Sequence, residues 1–203
     1  GAETGRVVLS VEDPVEMRLP AITQTQIRPA IGLDFPTALR SLLRQDPDVL
    51  MIGEIRDAET AAVALQAAGT GHLVLSSLHC GSAAAVPDRL LDMGLPAYAI
   101  AGALRLVCCQ RLLRRLCTDC RRQDHEAWEA IGCDSCHQTG YDGRVLVAEH
   151  CLVEEDLRRA IARGQPRGPA RAAVARPIAA GIAELLRDGI TSPAEAARQE
   201  DQA

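Results

Sequence analysis

A chain of 203 residues with 47% hydrophobic content can bury one full core plus a small appendage, which excludes a disordered polypeptide. Its formal charge of −5 and its four aromatic residues (one Trp, two Tyr, one Phe) argue against a general nucleic-acid binder, which carries a basic face. All 22 basic residues are Arg, so no phosphate-binding loop ending in Gly-Lys-Ser/Thr exists anywhere in the sequence.

Arg6 to Glu12 reads as a buried strand ending in Glu12-Asp13-Pro14. The more polar Glu16 to Arg28 alternates loosely, which suggests a short hairpin or edge extension. Asp34 can cap a helix through about Gln45, with Phe35, Leu39, Leu42 and Leu43 on one face. Pro47 disfavours helix at the residue before it, so that helix stops at Asp46. Val49 to Ile52 then form a short apolar run of the kind buried on both faces, delivering Glu54 at its end beside Gly53.

Asp57 is placed to cap a second helix lined by Ala58, Ala61, Ala62, Leu65 and Ala68. Gly69 and Gly71 release a third buried strand, Leu73 to Leu78, followed by His79. Gly81-Ser82 opens another helical segment bent or started by Pro87 and closed by Gly94. Pro96 is expected to begin a long helix running to about Leu116. Arg144 to Ala148 can be one more short strand. Helices are expected over Glu154 to Arg163, Pro177 to Arg187 and Ser192 to Gln199, with a Gly/Pro/Arg-rich break from Gly164 to Arg171. No apolar run reaches the length of a membrane span; the best, Ala97 to Leu113, is interrupted by Arg105, Gln110 and Arg111.

Strands alternating with helices imply an α/β fold with a parallel sheet covered by helices. Successive strands then point the same way, and three of them end in Glu12-Asp13, Glu54 and His79. Ligands of such sheets bind beyond the carboxyl ends of the strands. Glu54 is placed to orient or deprotonate a water, and Glu12 and Asp13 to hold a hydrated magnesium. Arg56 either neutralises phosphate charge or pairs with a neighbouring acid. His72 stands at the opposite end of its strand from His79 if that strand is extended. For His72 a structural hydrogen bond competes with a phosphate contact.

Eight cysteines occur, and no signal-peptide pattern is seen, so they read as intracellular thiols and metal ligands. Cys117-Thr-Asp-Cys120 and Cys133-Asp-Ser-Cys136 stand twelve residues apart. Two such pairs can close a tetrahedral zinc site, and four thiolates leave no open position, which makes it structural. Cys80, Cys108, Cys109 and Cys151 lack the spacing and read as small core residues. Arg111, Arg114, Arg115, Arg121 and Arg122 crowd the approach to the tetracysteine segment.

At these residues the sequence resembles the C-terminal ATPase domain of the type II secretion and type IV pilus assembly ATPases. Val11-Glu-Asp-Pro-Val-Glu16 resembles that family's Asp box, and Leu43 to Asp57 its Walker B. Thr70 to His79 resembles its His box, and Gln110 to Cys117 leads into a tetracysteine module as in the assembly and secretion members. The resemblance implies a RecA-like P-loop NTPase core, lacking here its first strand and P-loop, in a cytoplasmic ring of six subunits. It implies ATP hydrolysis with Mg2+, and work upon an inner-membrane platform protein and adaptor proteins. It assigns the catalytic role to Glu54, the nucleotide and magnesium site to Glu12, Asp13, Glu16, Arg56, His72 and His79, and zinc to Cys117, Cys120, Cys133 and Cys136. The corresponding division is a core over 1–116, a zinc module over 117–136 and a mostly helical C-terminal part over 137–203.

The family's pattern is not matched throughout. Its Walker A loop, upstream of the Asp box, is absent; Ser77 stands for a usual Thr, Cys80-Gly81 for Thr-Asn, and Met17 for an aromatic. The chain, which begins at Gly1, is expected to be part of a longer ATPase and inactive alone. The alternatives are a truncated, non-catalytic relative that binds partners, and a zinc-containing nucleic-acid module.

Overall fold

The computed structural model describes residues 5–125 and 127–200. Two compact units share the chain in interleaved segments: residues 1–80, 84–105 and 153–171 form the first, and 81–83, 106–152 and 172–203 the second.

The first unit is built on a parallel sheet of β1 (Val8–Glu12), β2 (Thr23–Gln26), β3 (Val49–Ile55) and β4 (Leu73–Leu78), in the order β2-β1-β3-β4. Its helices are α1 (Phe35–Leu42), α2 (Ala58–Gly69), α3 (Val86–Asp92), α4 (Ala97–Ala103), α5 (Glu155–Ala162) and α6 (Arg167–Ala172), whose last residue is counted with the second unit. Both expected caps are present: Asp34 accepts the N–H of Thr37 and Asp57 that of Thr60, each satisfying a donor the helix cannot. Asp46, with φ 51°, turns the chain in the left-handed conformation between α1's final turn and Pro47.

Leu9, Val11, Leu50 and Ile52 project from one face of the sheet onto Leu39 and Leu42 of α1 and Val63, Ala64 and Ala67 of α2. Leu50 and Ile52 are wholly buried, and each such side chain contributes about 1.5–3 kcal/mol. The opposite face differs from expectation. Met51 on β3 is 38% exposed, and Leu73 and Leu75 on β4 are about half exposed. β4 is the sheet's edge, and side chains alternate between faces along a strand, so helices on one side bury only every second residue. β2 is an edge extension, but parallel to β1, so the hairpin alternative is not formed.

The second unit departs further from the sequence reading. The helix expected from Pro96 to Leu116 ends at Ala103, and Leu106–Leu116 is instead β5. β5 alternates buried and exposed, with Val107, Cys109 and Leu113 inward and Cys108, Gln110 and Leu112 outward. Period two decides for a strand. It pairs antiparallel with β8 (Tyr141–Leu152), a strand of 12 residues where five were expected, inside a region expected to be mostly helical. Between them lie β6 (Arg122–Asp124) and β7 (Ala127–Glu129), and β9 (Val174–Ala175) pairs with β8. α7 (Ile178–Arg187) and α8 (Pro193–Glu200) stand where helices were expected, whereas α6 forms inside the expected break.

Within this unit a buried polar cluster joins α8 to β5 and β8. Glu195, 1% exposed, accepts from Arg114 Nε through Oε2 at 2.7 Å, with Nη2 paired to the same oxygen at 2.6 Å, and from the Arg114 backbone N–H through Oε1 at 3.1 Å. Arg114 lies 4.0 Å over the Tyr141 ring, and the Tyr141 hydroxyl meets Ser192 Oγ at 2.7 Å.

Candidate functional site

The parallel register places the carboxyl ends of β1, β3 and β4 along one edge of the first unit's sheet. Glu12 closes β1, Glu54 stands near the end of β3, and His79 follows β4. β3 carries a register shift between Ile52 and Ile55. An irregularity of this kind turns a strand and re-aims its side chains, here at Glu54. Gly53 lets the strands approach closely at the same place: a Cβ there would stand 3.3 Å from the Val11 carbonyl oxygen and 3.4 Å from Glu12 Cα, a tight fit. Ser77 Oγ donates to the Gly53 carbonyl at 2.6 Å and fastens this segment to β4.

Glu54 meets Arg56 Nη2 at 2.5 Å and His79 Nε2 at 3.5 Å. The hydrogen bond from Arg56 holds the Glu54 carboxyl below the usual carboxylate range, against a desolvation that pushes the other way, with His79 adding to the lowering. Glu54 is therefore ionised at neutral pH. Arg56, raised in turn by Glu54, keeps its charge.

Glu12 is buried, and its Oε1 accepts from Ser10 Oγ at 2.6 Å and Gln24 Nε2 at 2.8 Å. Gln24 also donates to the Met17 carbonyl and accepts the Leu19 N–H, so one amide holds both the acid and the loop after it. Ser10 and Gln24 were not singled out from sequence; a lone polar residue on an otherwise apolar strand was the available signal for Ser10. A cavity of about 360 Å³ opens here, lined by Glu12, Asp13, Glu16, Met51, Gly53 and Glu54 among others. Exposed Asp13 and Glu16 give it two further carboxylates. A hard cation with its own waters fits such an acid-rich, partly open cleft.

His72 makes its contacts elsewhere. Its Nδ1 lies 2.9 Å from the Ala67 carbonyl oxygen and 3.2 Å from Thr70 Oγ1, at the C-terminal end of α2 and the start of β4. The structural hydrogen bond weighed for it is formed.

The four cysteines of the second unit do converge. All their Sγ atoms lie within 4.8 Å of one another, with 3.8 Å between Cys117 and Cys133, 3.8 Å between Cys120 and Cys136, and 3.7 Å between Cys133 and Cys136. Four Zn–S bonds of about 2.3 Å at tetrahedral angles set sulfur separations of about 3.8 Å, so the donors fit that ion. Backbone N–H groups of Cys133 and Gly140 point at Cys136 Sγ, and that of Gly132 at Cys120 Sγ, as thiolates require. Burial raises Cys136, but those N–H groups more than reverse it, to about 6; burial pushes Cys120 up to about 12.

Four of the five arginines near this cluster are engaged by the protein. Arg111 donates to Gly81, Arg114 to Glu195, and Arg115 to Asp142. Arg121 donates to the Gly189 carbonyl and lies 4.7 Å over the Trp128 ring.

A parallel sheet with acids and a histidine at its carboxyl edge is the α/β class of protein in which ligands bind beyond the strand ends. Residues 2–198 match the family model described as type II/IV secretion system protein, and the chain belongs to that family. It is 46% identical over 182 residues to the type II secretion system protein HxcR of Pseudomonas aeruginosa, covering 90% of this chain and 38% of that one. It is 43% identical over 175 residues to the type IV pilus assembly ATPase PilB of Thermus thermophilus, covering 77% of this chain and 20% of the relative. The fold matches the pilus retraction motor PilT with bound ADP at a TM-score of 0.73 and 25% identity, over 96% of this chain and 52% of that structure. The Legionella pneumophila ATPase DotB, 24% identical with a TM-score of 0.72, shares the fold. The chain thus spans well under half of the curated relatives it matches. It is a RecA-like α/β core with an appended tetracysteine cluster.

Proposed function

We propose that these residues form the acidic half of the nucleotide site of an ATPase that powers type II protein secretion or type IV pilus assembly. The observation that carries this reading is the placement of Glu54 at the end of β3, paired with Arg56, on the same sheet edge as Glu12 and His79. In the proposed reaction water attacks the terminal phosphoryl group. The Glu54 carboxylate orients that water and accepts its proton, which requires hydrogen-bond reach and an ionised acid. Binding of phosphate draws Arg56 off Glu54 toward the incoming charge, which frees the carboxylate for water. Glu12, Asp13 and Glu16 are the residues that would hold a hydrated Mg2+, which would supply charge neutralisation at the phosphates. His79 stands beside the second Glu54 oxygen, and His72, held at the α2–β4 turn, completes the histidine pair assigned to this site.

The cradle of N–H groups and the Lys that hold the β- and γ-phosphates must come from outside these 203 residues, because the sequence contains no Lys. The 203-residue chain alone is therefore expected to bind ATP weakly and not to hydrolyse it. Cys117, Cys120, Cys133 and Cys136 hold a structural Zn2+ in this reading. Copies assemble as a ring of six beneath the inner membrane, on the cytoplasmic side, and act through a platform protein and adaptors. Among the described residues no helix is long and apolar enough to cross a membrane, which is compatible with such an attachment through partners.

Two measurements test the proposal. Equilibrium binding of Mg-ATP to the 203-residue chain should be weak, with no phosphate release. The same residues placed behind a segment bearing Gly-x-x-x-x-Gly-Lys-Ser/Thr should turn ATP over. Turnover by the 203 residues alone would refute the division of the site, and none by the longer polypeptide would refute the assignment.

A further inference from the structure

Glu149, near the end of β8, is 6% exposed, and none of the ion pairs among the described residues includes it. A buried carboxylate needs hydrogen-bond donors in place of water. Glu149 takes two from the backbone: Oε1 accepts the Ala83 N–H at 2.8 Å and Oε2 the Ile178 N–H at 3.1 Å. Ile178 opens α7, whose preceding Pro177 supplies no side-chain cap. The first N–H groups of a helix lack partners and carry its positive end, so an acid from β8 supplies what the local sequence does not. The charge is felt beside it: burial and then Glu149 raise the Cys151 thiol.

The other end of this link is the unusual one. Gly81–Ala83 belongs to the second unit, whereas the chain on both sides, through Cys80 and from Ala84, belongs to the first. Ala83 is wholly buried. Arg111 Nη2 donates to the Gly81 carbonyl at 3.0 Å, and Cys109 Sγ lies 3.6 Å from the same oxygen. His79 stands two residues before this segment.

We propose that Glu149 is a positioning residue that clamps the segment following His79 to the start of α7, so that displacement of either is passed to the other. Any consequence for nucleotide turnover rests on the function proposed above; the clamp itself does not. Glu149→Gln has the same size but one acceptor oxygen, and its amide nitrogen would face an N–H, so one of the two backbone donors loses its partner. Hydrogen exchange by mass spectrometry on the 203-residue chain reads this directly. Exchange over 81–85 and over 178–182 should quicken by roughly tenfold or more in Glu149→Gln, while β1 and α2 keep their protection. Arg111→Ala removes the donor to the Gly81 carbonyl and leaves both acceptor bonds of Glu149 in place, yet coupling requires that 178–182 loosen too, by roughly twofold or more. Loosening of 178–182 alone in Glu149→Gln would reduce the residue to a helix cap and overturn the proposal. A change confined to 81–83 in Arg111→Ala would overturn it as well. Neither readout involves nucleotide, so the clamp and the ATPase assignment succeed or fail separately.

Discussion

Removing either partner of the Arg114–Glu195 pair should destabilise the second unit, and by unequal amounts. Glu195 is 1% exposed and accepts two hydrogen bonds from Arg114 beside an ion-pair contact to its Nη2, whereas the Arg114 side chain is 39% exposed and also lies over Tyr141. Arg114→Ala strands a carboxylate that water cannot reach; breaking a buried pair in this way costs about 3–5 kcal/mol, and this case falls at the upper end. Glu195→Ala leaves a guanidinium that can rehydrate and keep its ring contact, so the loss should be about 2–3 kcal/mol. Urea unfolding followed by the fluorescence of Trp128, the single tryptophan, measures both. The acid dependence gives a second check. Burial raises the Glu195 carboxyl, but the bonds from Arg114 outweigh it and bring it below the ordinary 4.5. A group lowered on folding adds stability above its unfolded value, and that stability disappears as pH falls through its folded value. The wild-type chain should therefore lose stability below about pH 4.5, and Arg114→Ala should lack that component. Equal losses in the two variants, or losses under about 1 kcal/mol, would refute the reasoning.

Gly189 has φ +63°, and a Cβ there would fall 2.5 Å from Trp128 Cε2, so Gly189→Ala should cost at least about 2 kcal/mol and shift the Trp128 emission. Asp57 caps α2 through the N–H and hydroxyl of buried Thr60 at 2.7 and 2.9 Å; Asp57→Ala should lower the unfolding free energy by about 1–2 kcal/mol in urea titration. The purified chain should contain one zinc per molecule by elemental analysis, and Cys117→Ser should lose it together with heat stability. Retention of metal at full occupancy by that variant would exclude the tetracysteine site.

The first unit was the more legible in sequence because its signals are local. Asp34 and Asp57 announce helix starts through capping chemistry, and Pro47 and Gly71 punctuate the chain beside strands of plain apolar composition. Parallel order then followed from alternation of strand and helix, which put Glu12, Glu54 and His79 on one edge. The cysteine spacing was equally local. Leu106–Leu116 is misread as helix because Leu-Val-Cys-Cys-Gln-Arg-Leu-Leu-Arg-Arg-Leu fits helical as well as alternating patterns, and pairing with β8, whose partners run from Leu116↔Tyr141 to Leu106↔Leu152, decides between them. Exposure of Leu73 and Leu75 follows from β4 being an edge, a fact of topology that an apolar run does not carry. Gln24, Glu149 and Glu195 act through partners 12, 66 and 81 residues away, so nothing near them in sequence marks their roles.

Glu54 is proposed to activate water in a site completed by a phosphate-binding loop. ATP turnover by a polypeptide carrying that loop ahead of these residues, compared with its Glu54→Gln variant, tests it most directly. Glutamine keeps the size of the side chain but has one acceptor oxygen in place of two and accepts no proton, so kcat should fall by roughly 10² to 10⁴-fold with Mg-ATP affinity retained. A Glu54→Gln variant that hydrolyses ATP at the wild-type rate would contradict the account.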